Sequence, residues 1–284
     1  MSRNAESLRK EAPQLISKGV ELYSADIITT ATLPAADIVI HAAASTDVSK
    51  YLSRPLSKQE NIQAGTYNYC SLAKKYHSES KILYVSSGAV YGKQPANLTH
   101  IPEDYVANDL IELPDGKRDY AFAKRAAENA IKNLGLEGLS VSIARCFTFV
   151  GPWLPRNQHF AIGNFIEDAL QGRPIKVNAT KKVYRSYMYA DDLVEWLMTI
   201  VCHAIPICPI YNVGSDEVVT IKDLSGLISG VFGLEVHIPK ICDSSIDRYI
   251  PSIDKAKEKL GLRLIYDLIS ALQNTHEKIY LKLK

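Results

Sequence analysis

The chain has 284 residues, of which 46% are hydrophobic and 23% charged, and a net charge of +2. That length suits one large domain or two intimate ones, with the composition of a soluble globular protein. The near-neutral balance excludes a general attraction to nucleic acid or an anionic membrane. No run of about 18 apolar residues reads as a transmembrane helix, and residues 1–10 lack the apolar core of a signal peptide. Five cysteines (Cys70, Cys146, Cys202, Cys208 and Cys242) show no metal-type spacing and read as free thiols of a reducing cytoplasm. The seven histidines are scattered, so no metal site is expected.

In chain order, residues 1–19 read as polar and partly helical. Residues 20–27 alternate like a strand and end in Asp26 and Ile27. Residues 37–44 form a short apolar strand running into Ala42, Ala43 and Ala44. Such a run suits a strand buried on both faces, and small residues let a ligand approach the backbone. His41 reads as a packed structural histidine. Residues 55–76 read as a helix that holds Asn61 and Gly65. A mid-helix glycine costs about 1 kcal/mol against alanine, which close packing would justify. The strand at 81–85 delivers Ser86 and Ser87.

The next helix carries the chemistry. Phe122, Ala126, Ala130 and Leu134 give a 3.6-period apolar stripe, Asp119 is placed to cap its start, and Gly135 to end it. Tyr120 and Lys124, four apart, lie on one face. An ammonium beside a phenol stabilises phenolate and moves its pKa towards neutrality, where it can pass a proton. A serine ending a nearby strand can bond the same substrate oxygen. Residues 139–145 alternate as a strand ending in Arg145, which reads as an internal ion-pair partner. A helix over 163–172 contains Asn164.

Tyr120-x-x-x-Lys124, about 30 residues after a strand ending in Ser86-Ser87 and inside a βαβ pattern, resembles the extended short-chain dehydrogenase/reductase family. The similarity is to its branch of NAD-dependent nucleotide-sugar epimerases, dehydratases and reductases, and it runs along nearly the whole chain. The resemblance implies a Rossmann-like α/β fold, a doubly wound parallel sheet, with a smaller C-terminal α/β region. Residues 1–151 would be the dinucleotide-binding domain, rejoined by 175–214, and 152–284 mainly the substrate-binding region. Ser87, Tyr120 and Lys124 would be catalytic. Asp26 and Ile27 would contact the adenine of NAD or NADP, although Asp26 reads equally as a strand-end turn residue. Ala42, Ala43 and Asn61, with Tyr120 and Lys124, would line the rest of the cofactor. Asn164, Arg185 and Arg248 would hold a nucleotide-diphosphate sugar, because a guanidinium fork matches phosphate. The Asp192 of Arg185-x-x-x-x-x-x-Asp192 would cap the next helix. A homodimer through the helices at 56–76 and 119–134 is likewise implied.

Two departures matter. None of the 15 glycines falls in the family's Gly-x-x-Gly-x-x-Gly pattern, whose amides hold the pyrophosphate. Residues 2–6 resemble the segment just after the family's second strand, so the first β-α-β reads as absent ahead of Met1. The reading is then either a later start than the true one or a decayed gene product. The strand at 37–41 would become an apolar edge, unless residues 20–27 shift to pair with it. If Arg3 does come after a second strand, its charge suits a 2′-phosphate and favours NADP. Second, Gly88 and Ala89 stand where 4,6-dehydratases carry an Asp-Glu pair, and neither passes a proton. The expected reaction is therefore epimerisation or reduction of a 4-keto sugar, with 4,6-dehydration disfavoured. The alternative is an inactive remnant that only binds a partner.

Overall fold

The computed structural model describes residues 1–44, 58–106, 110, 113, 115–156, 160–240 and 242–283. The main elements are β1 (Ile38–His41), α1 (Lys58–Tyr76), β2 (Lys81–Ser87), α2 (Asp115–Leu136), β3 (Ser140–Cys146), β4 (Phe149–Val150), α3 (Ala161–Leu170), β5 (Lys181–Arg185), β6 (Met188–Tyr189), α4 (Ala190–Cys202), β7 (Ile210–Val213), β8 (Val219–Thr220), α5 (Ile221–Phe232), β9 (Asp243–Tyr249) and α6 (Leu268–Leu283). A four-stranded sheet has the order β1-β2-β3-β7, and a three-stranded sheet the order β9-β5-β8. Alternating strands and helices around a parallel sheet make this a Rossmann-like α/β fold. No helix among the described residues is long and apolar enough to cross a membrane.

The chain divides into two compact units. The first comprises residues 1–85, 115–143 and 201–209; the second comprises 86–114, 144–200 and 210–284. In the first, β1 and β2 pair in parallel, with Ile38 beside Lys81 and His41 beside Tyr84. Ile82, Leu83 and Tyr84 of β2 are buried with Ala73 of α1 and Ala123, Ala127 and Ile131 of α2. β1 is an edge strand, and Ile38 and Ile40 remain 40% and 39% exposed on it.

The expected strand at 20–27 does not form. Among the described residues its one sheet-like contact is a parallel bridge from Ser24 to Ser2, in which the Ser2 amide donates to the Tyr23 carbonyl and the Ala25 amide to the Ser2 carbonyl. Nor does that segment pair with β1. Asp26 turns the chain instead: its carboxylate accepts from the Ile28 amide at 3.0 Å, and its carbonyl accepts from Thr29 and Thr30. Local side-chain bonding of this kind competes with strand extension. The helix expected at 55–76 is observed from Lys58; its first three expected residues lie outside the described ones.

α2 also departs from expectation. It begins at Asp115, so Asp119 lies within it and caps nothing. Its buried face is Ala123, Ala127, Ile131 and Leu134, whereas Phe122 is 41% exposed. The stripe is rotated because alanines let the helix lie close to the sheet, and Lys124 and Glu128 are buried there with them.

The second unit has its own apolar core, drawn from Ile162, Phe165 and Ile166 of α3, Leu224 and Ile228 of α5, and Leu268, Ala271 and Leu272 of α6. β9 runs parallel to β5, and β8 antiparallel to it. Asp192 lies inside α4 rather than capping it. Its carboxylate accepts from the Ile265 and Tyr266 amides, tying a distant loop to the helix.

Candidate active site

In the first unit, α2 carries Tyr120 and Lys124 on one face. Lys124 is 3% exposed; its Nζ donates to the Val85 carbonyl at 2.8 Å and lies 4.8 Å from the Tyr84 ring centroid and 5.9 Å from that of Tyr120. A buried ammonium needs such partners. Val85 is two residues before Ser87 on β2. His41 stacks on Tyr69 with centroids 4.4 Å apart, and burial, with the Lys124 charge beside it, pushes its pKa down to about 3. His41 is thus a neutral, packed ring.

The same unit holds a cavity of about 750 Å³, within the range of small-molecule sites. Asp26, Ile27, Ala42, Ala43 and Asn61 all line it, so the structure brings together the side chains expected around an adenosine; Arg3 joins them. Gly65 explains part of this. A Cβ there would lie 3.0 Å from Ile27 Cγ2, and Asn68 donates to the Ile27 and Thr30 carbonyls, so α1 grips the 27–30 turn closely. Among the described residues, no glycine lines the cavity. The residues present therefore fit the adenosine end of a dinucleotide and supply no glycine cradle for its pyrophosphate.

In the second unit, Ser87 closes β2 and opens a 3-10 turn over Gly88–Tyr91; its Oγ accepts from the Ala89 amide at 3.2 Å. A buried polar network holds this turn. Arg145 Nη1 donates to Tyr91 Oη at 2.9 Å, and Tyr91 Oη donates to Asn212 Oδ1 at 2.8 Å. Asn212 Nδ2 donates in turn to the Ile101 and Ser252 carbonyls. Arg145 also donates to the Glu103 carbonyl, while the Glu103 carboxylate accepts from the Asn212 amide. Burial raises the Glu103 pKa against the pull of that bond. Arg145 is partly buried, and the bonds described for it go to the Tyr91 hydroxyl and the Glu103 carbonyl.

The three expected substrate residues are not placed alike. Arg185 Nη1 donates to the Tyr184 carbonyl at 2.8 Å and to Asp247 Oδ1 at 3.2 Å. Arg248 lies over the Tyr184 ring, 4.4 Å from its centroid. Because strand residues alternate and Arg248 pairs in register with Tyr184, the two arginines project from opposite faces of the small sheet. The structure does not bring them together as a double phosphate clamp. Asn164 lies on α3, partly buried. Sequence reasoning missed Tyr91, Phe147 and Tyr249, which pack together around Gly88; the one available signal was their aromatic character beside motif residues.

The fold and the Tyr-x-x-x-Lys helix define a Rossmann-like nucleotide-dependent class. The family model for the NAD dependent epimerase/dehydratase family matches residues 3–214, and the chain belongs to that family. Curated relatives include UDP-glucuronic acid decarboxylase 1 of Danio rerio, 29% identical over 259 residues, covering 90% of this chain and 60% of that protein. UDP-glucuronic acid decarboxylase 6 of Arabidopsis thaliana is 30% identical over 230 residues, covering 79% of this chain and 64% of that protein. The chain thus spans about 60% of the length of such relatives. Among solved structures, UDP-glucuronic acid 4-epimerase from Bacillus cereus superposes with a TM-score of 0.76 at 19% identity, covering 97% of this chain and 87% of that one. A UDP-galactose 4-epimerase gives 0.73 at 23%, with 93% and 85% covered.

Proposed function

We propose that the chain acts on nucleotide-diphosphate sugars with NAD or NADP, as a sugar epimerase or 4-keto-sugar reductase. The observation that carries this reading is the buried Lys124 beside Tyr120 on one helix face, in a chain of the epimerase/dehydratase family. When bound, the nicotinamide supplies hydride exchange with a sugar carbon. Tyr120 moves the proton of the sugar hydroxyl, and Lys124 stabilises its phenolate. By the family motif Ser87 serves the sugar as well, and Arg185 holds the diphosphate, orienting the sugar through binding energy remote from the reacting carbon. Asp26, Ile27, Ala42, Ala43 and Asn61 hold the adenosine. Arg3, at the same cavity, favours NADP; equal or better use of NADH in a matched comparison removes that preference. Arg248 and Asn164 are kept as substrate residues of lower weight, Arg248 because its guanidinium is engaged by Tyr184. A homodimer through α1 and α2 fits the 51% and 41% exposure of Tyr67 and Phe122 on those helices.

The test is to incubate the chain with cofactor and UDP-glucose, UDP-glucuronic acid or a 4-keto-6-deoxy nucleotide sugar. A 4-epimer or a reduced 4-hydroxy product supports the reading. A 4-keto-6-deoxy product from the hexose overturns the reading that disfavours dehydration, and carbon dioxide from UDP-glucuronic acid moves the reading to the chemistry named for the curated relatives. The second reading is a chain that binds a partner without turnover. Failure to bind either dinucleotide in calorimetry would select it.

A further inference from the structure

The ammonium of Lys124 is held by a side chain that no motif announces. Tyr84 stands on β2, in register beside His41 of the parallel strand β1. Its ring centroid lies 4.8 Å from Lys124 Nζ, nearer than the 5.9 Å from that nitrogen to the Tyr120 ring. The Val85 carbonyl, one residue on, accepts from the same nitrogen at 2.8 Å. Two consecutive residues of one strand thus meet the ammonium, one by its ring and one by its carbonyl.

Tyr84 is itself fixed. It is 2% exposed, and the His41 ring lies 5.6 Å from its own and stacks in turn on Tyr69. The titratable groups that face Tyr84 are His41 on β1, Cys70 on α1, and Tyr120, Lys124 and Glu128 on α2. Burial raises the Tyr84 phenol above the usual tyrosine range, so the ring stays neutral and serves by its face. His41 is neutral too and sets no charge against the ammonium. Lys124, buried between α2 and the sheet, has lost most of its hydration, and a ring face attracts a cation most where water is excluded. An aliphatic side chain at 84 would fill much of the same space and supply none of that attraction.

We propose that Tyr84 is a positioning residue for Lys124, its ring fixing the ammonium against β2 so that the charge stays beside the Tyr120 phenol while the proton passes. This rests on the roles proposed above for Tyr120 and Lys124. The hydride of the sugar carbon goes to the nicotinamide and the hydroxyl proton to the Tyr120 oxygen; Tyr84 touches neither. It acts on the charge next to the phenolate and leaves sugar and diphosphate binding alone.

The experiment compares wild type with Tyr84→Phe, which keeps the ring, and with Tyr84→Leu and Tyr84→Met, which remove it. Tyr84→Met, closer in length to tyrosine, serves if Tyr84→Leu does not fold. Ionisation of Tyr120 is followed by ultraviolet difference titration of the full chain, each protein read against its own Tyr120→Phe counterpart. Single-turnover reduction of NAD by UDP-glucose is measured over the same pH range. Without the ring the phenolate loses part of its support, so the Tyr120 transition and the rising limb of the rate both move to higher pH, by about half a unit to one unit. The rate at neutral pH falls about 3- to 10-fold, with the half-saturating UDP-glucose concentration unchanged. Tyr84→Phe keeps the wild-type profile. If the ring-free variants titrate Tyr120 like wild type, the proposal fails. If Tyr84→Phe shifts as far as they do, the hydroxyl matters rather than the ring, and the proposal fails. If the titration shifts as expected but wild type reduces no NAD, the proposal stands and the substrate reading is what falls.

Discussion

In the first unit the pair proposed to be reactive rides on a single helix, while in the second the side chains proposed to hold a ligand are set by strand register. Tyr120 and Lys124 sit together because four residues make about one helical turn, a local fact. Arg185 and Tyr249 sit together because two strands far apart in sequence pair at one register, and a one-residue slip would exchange Tyr249 for Arg248. The units also treat polar groups differently. The first leaves an open cavity beside the 26–28 turn, whereas the second closes its polar side chains into the Arg145–Tyr91–Asn212 network. Local spacing positions chemistry directly; register positions it only once the sheet has formed.

The largest expected effect tests the helix. Tyr120→Phe keeps the ring on α2 and removes the proposed proton carrier, so turnover should fall by about 10²- to 10⁴-fold with dinucleotide affinity retained. Single-turnover kinetics beside cofactor titration check this; unchanged turnover would remove Tyr120 from the mechanism.

Asn212→Ala tests the network of the second unit. It removes a donor from the Ser252 carbonyl and the acceptor of Tyr91 Oη, while the Ile101 carbonyl keeps its bond from the Ser252 amide. The expected loss is about 3 kcal/mol of unfolding free energy in urea. A loss under about 1 kcal/mol would mean the network is dispensable.

His41 gives the first unit an acid-sensitive point. Its pKa is held near 3 in the folded chain against 6.5 when unfolded. Above 6.5 both states are neutral and the stabilisation is fully present; as the pH falls below 6.5 the unfolded state takes up the proton first. Stability then drops by about 1.4 kcal/mol per pH unit until the folded pKa is reached. Urea melts at about pH 7 and about pH 5 should show roughly 2 kcal/mol more loss for wild type than for His41→Phe. Parallel pH dependence in the two proteins would refute the assignment.

The smallest effect is at Gly65. Gly65→Ala gains helix propensity of about 1 kcal/mol but presses on Ile27 Cγ2. Stability should change by less than about 1 kcal/mol, while dinucleotide affinity weakens about 3-fold as Ile27 shifts in the cavity. Unchanged affinity would separate Gly65 from the cofactor wall.

Much of this molecule is legible without coordinates. The strands expected at 37–44, 81–85 and 139–145 form at Ile38–His41, Lys81–Ser87 and Ser140–Cys146, and the helices expected around 55–76 and 119–134 form as α1 and α2, with Gly135 inside α2 rather than ending it. The family can be read from the Tyr120/Lys124 spacing after Ser86-Ser87, since both are local patterns. The segment at 20–27 misleads because its alternation is strand-like, yet Asp26 bonds its own backbone and bends the chain. The stripe on α2 misleads because residue type alone ranks Phe122 above Ala123, while packing against a sheet rewards the smaller side chain.

Sequence by itself determined the fold class, the Tyr120–Lys124 pair and the lack of a Gly-x-x-Gly-x-x-Gly loop, because each depends on neighbours along the chain. Tertiary structure alone decided that Arg185 and Arg248 face opposite ways, that Asp192 anchors residues 265 and 266, and that Tyr249 fills the space left by Gly88. Those outcomes depend on register and close approach between segments distant in the chain, for which the order of residues carries no local signal.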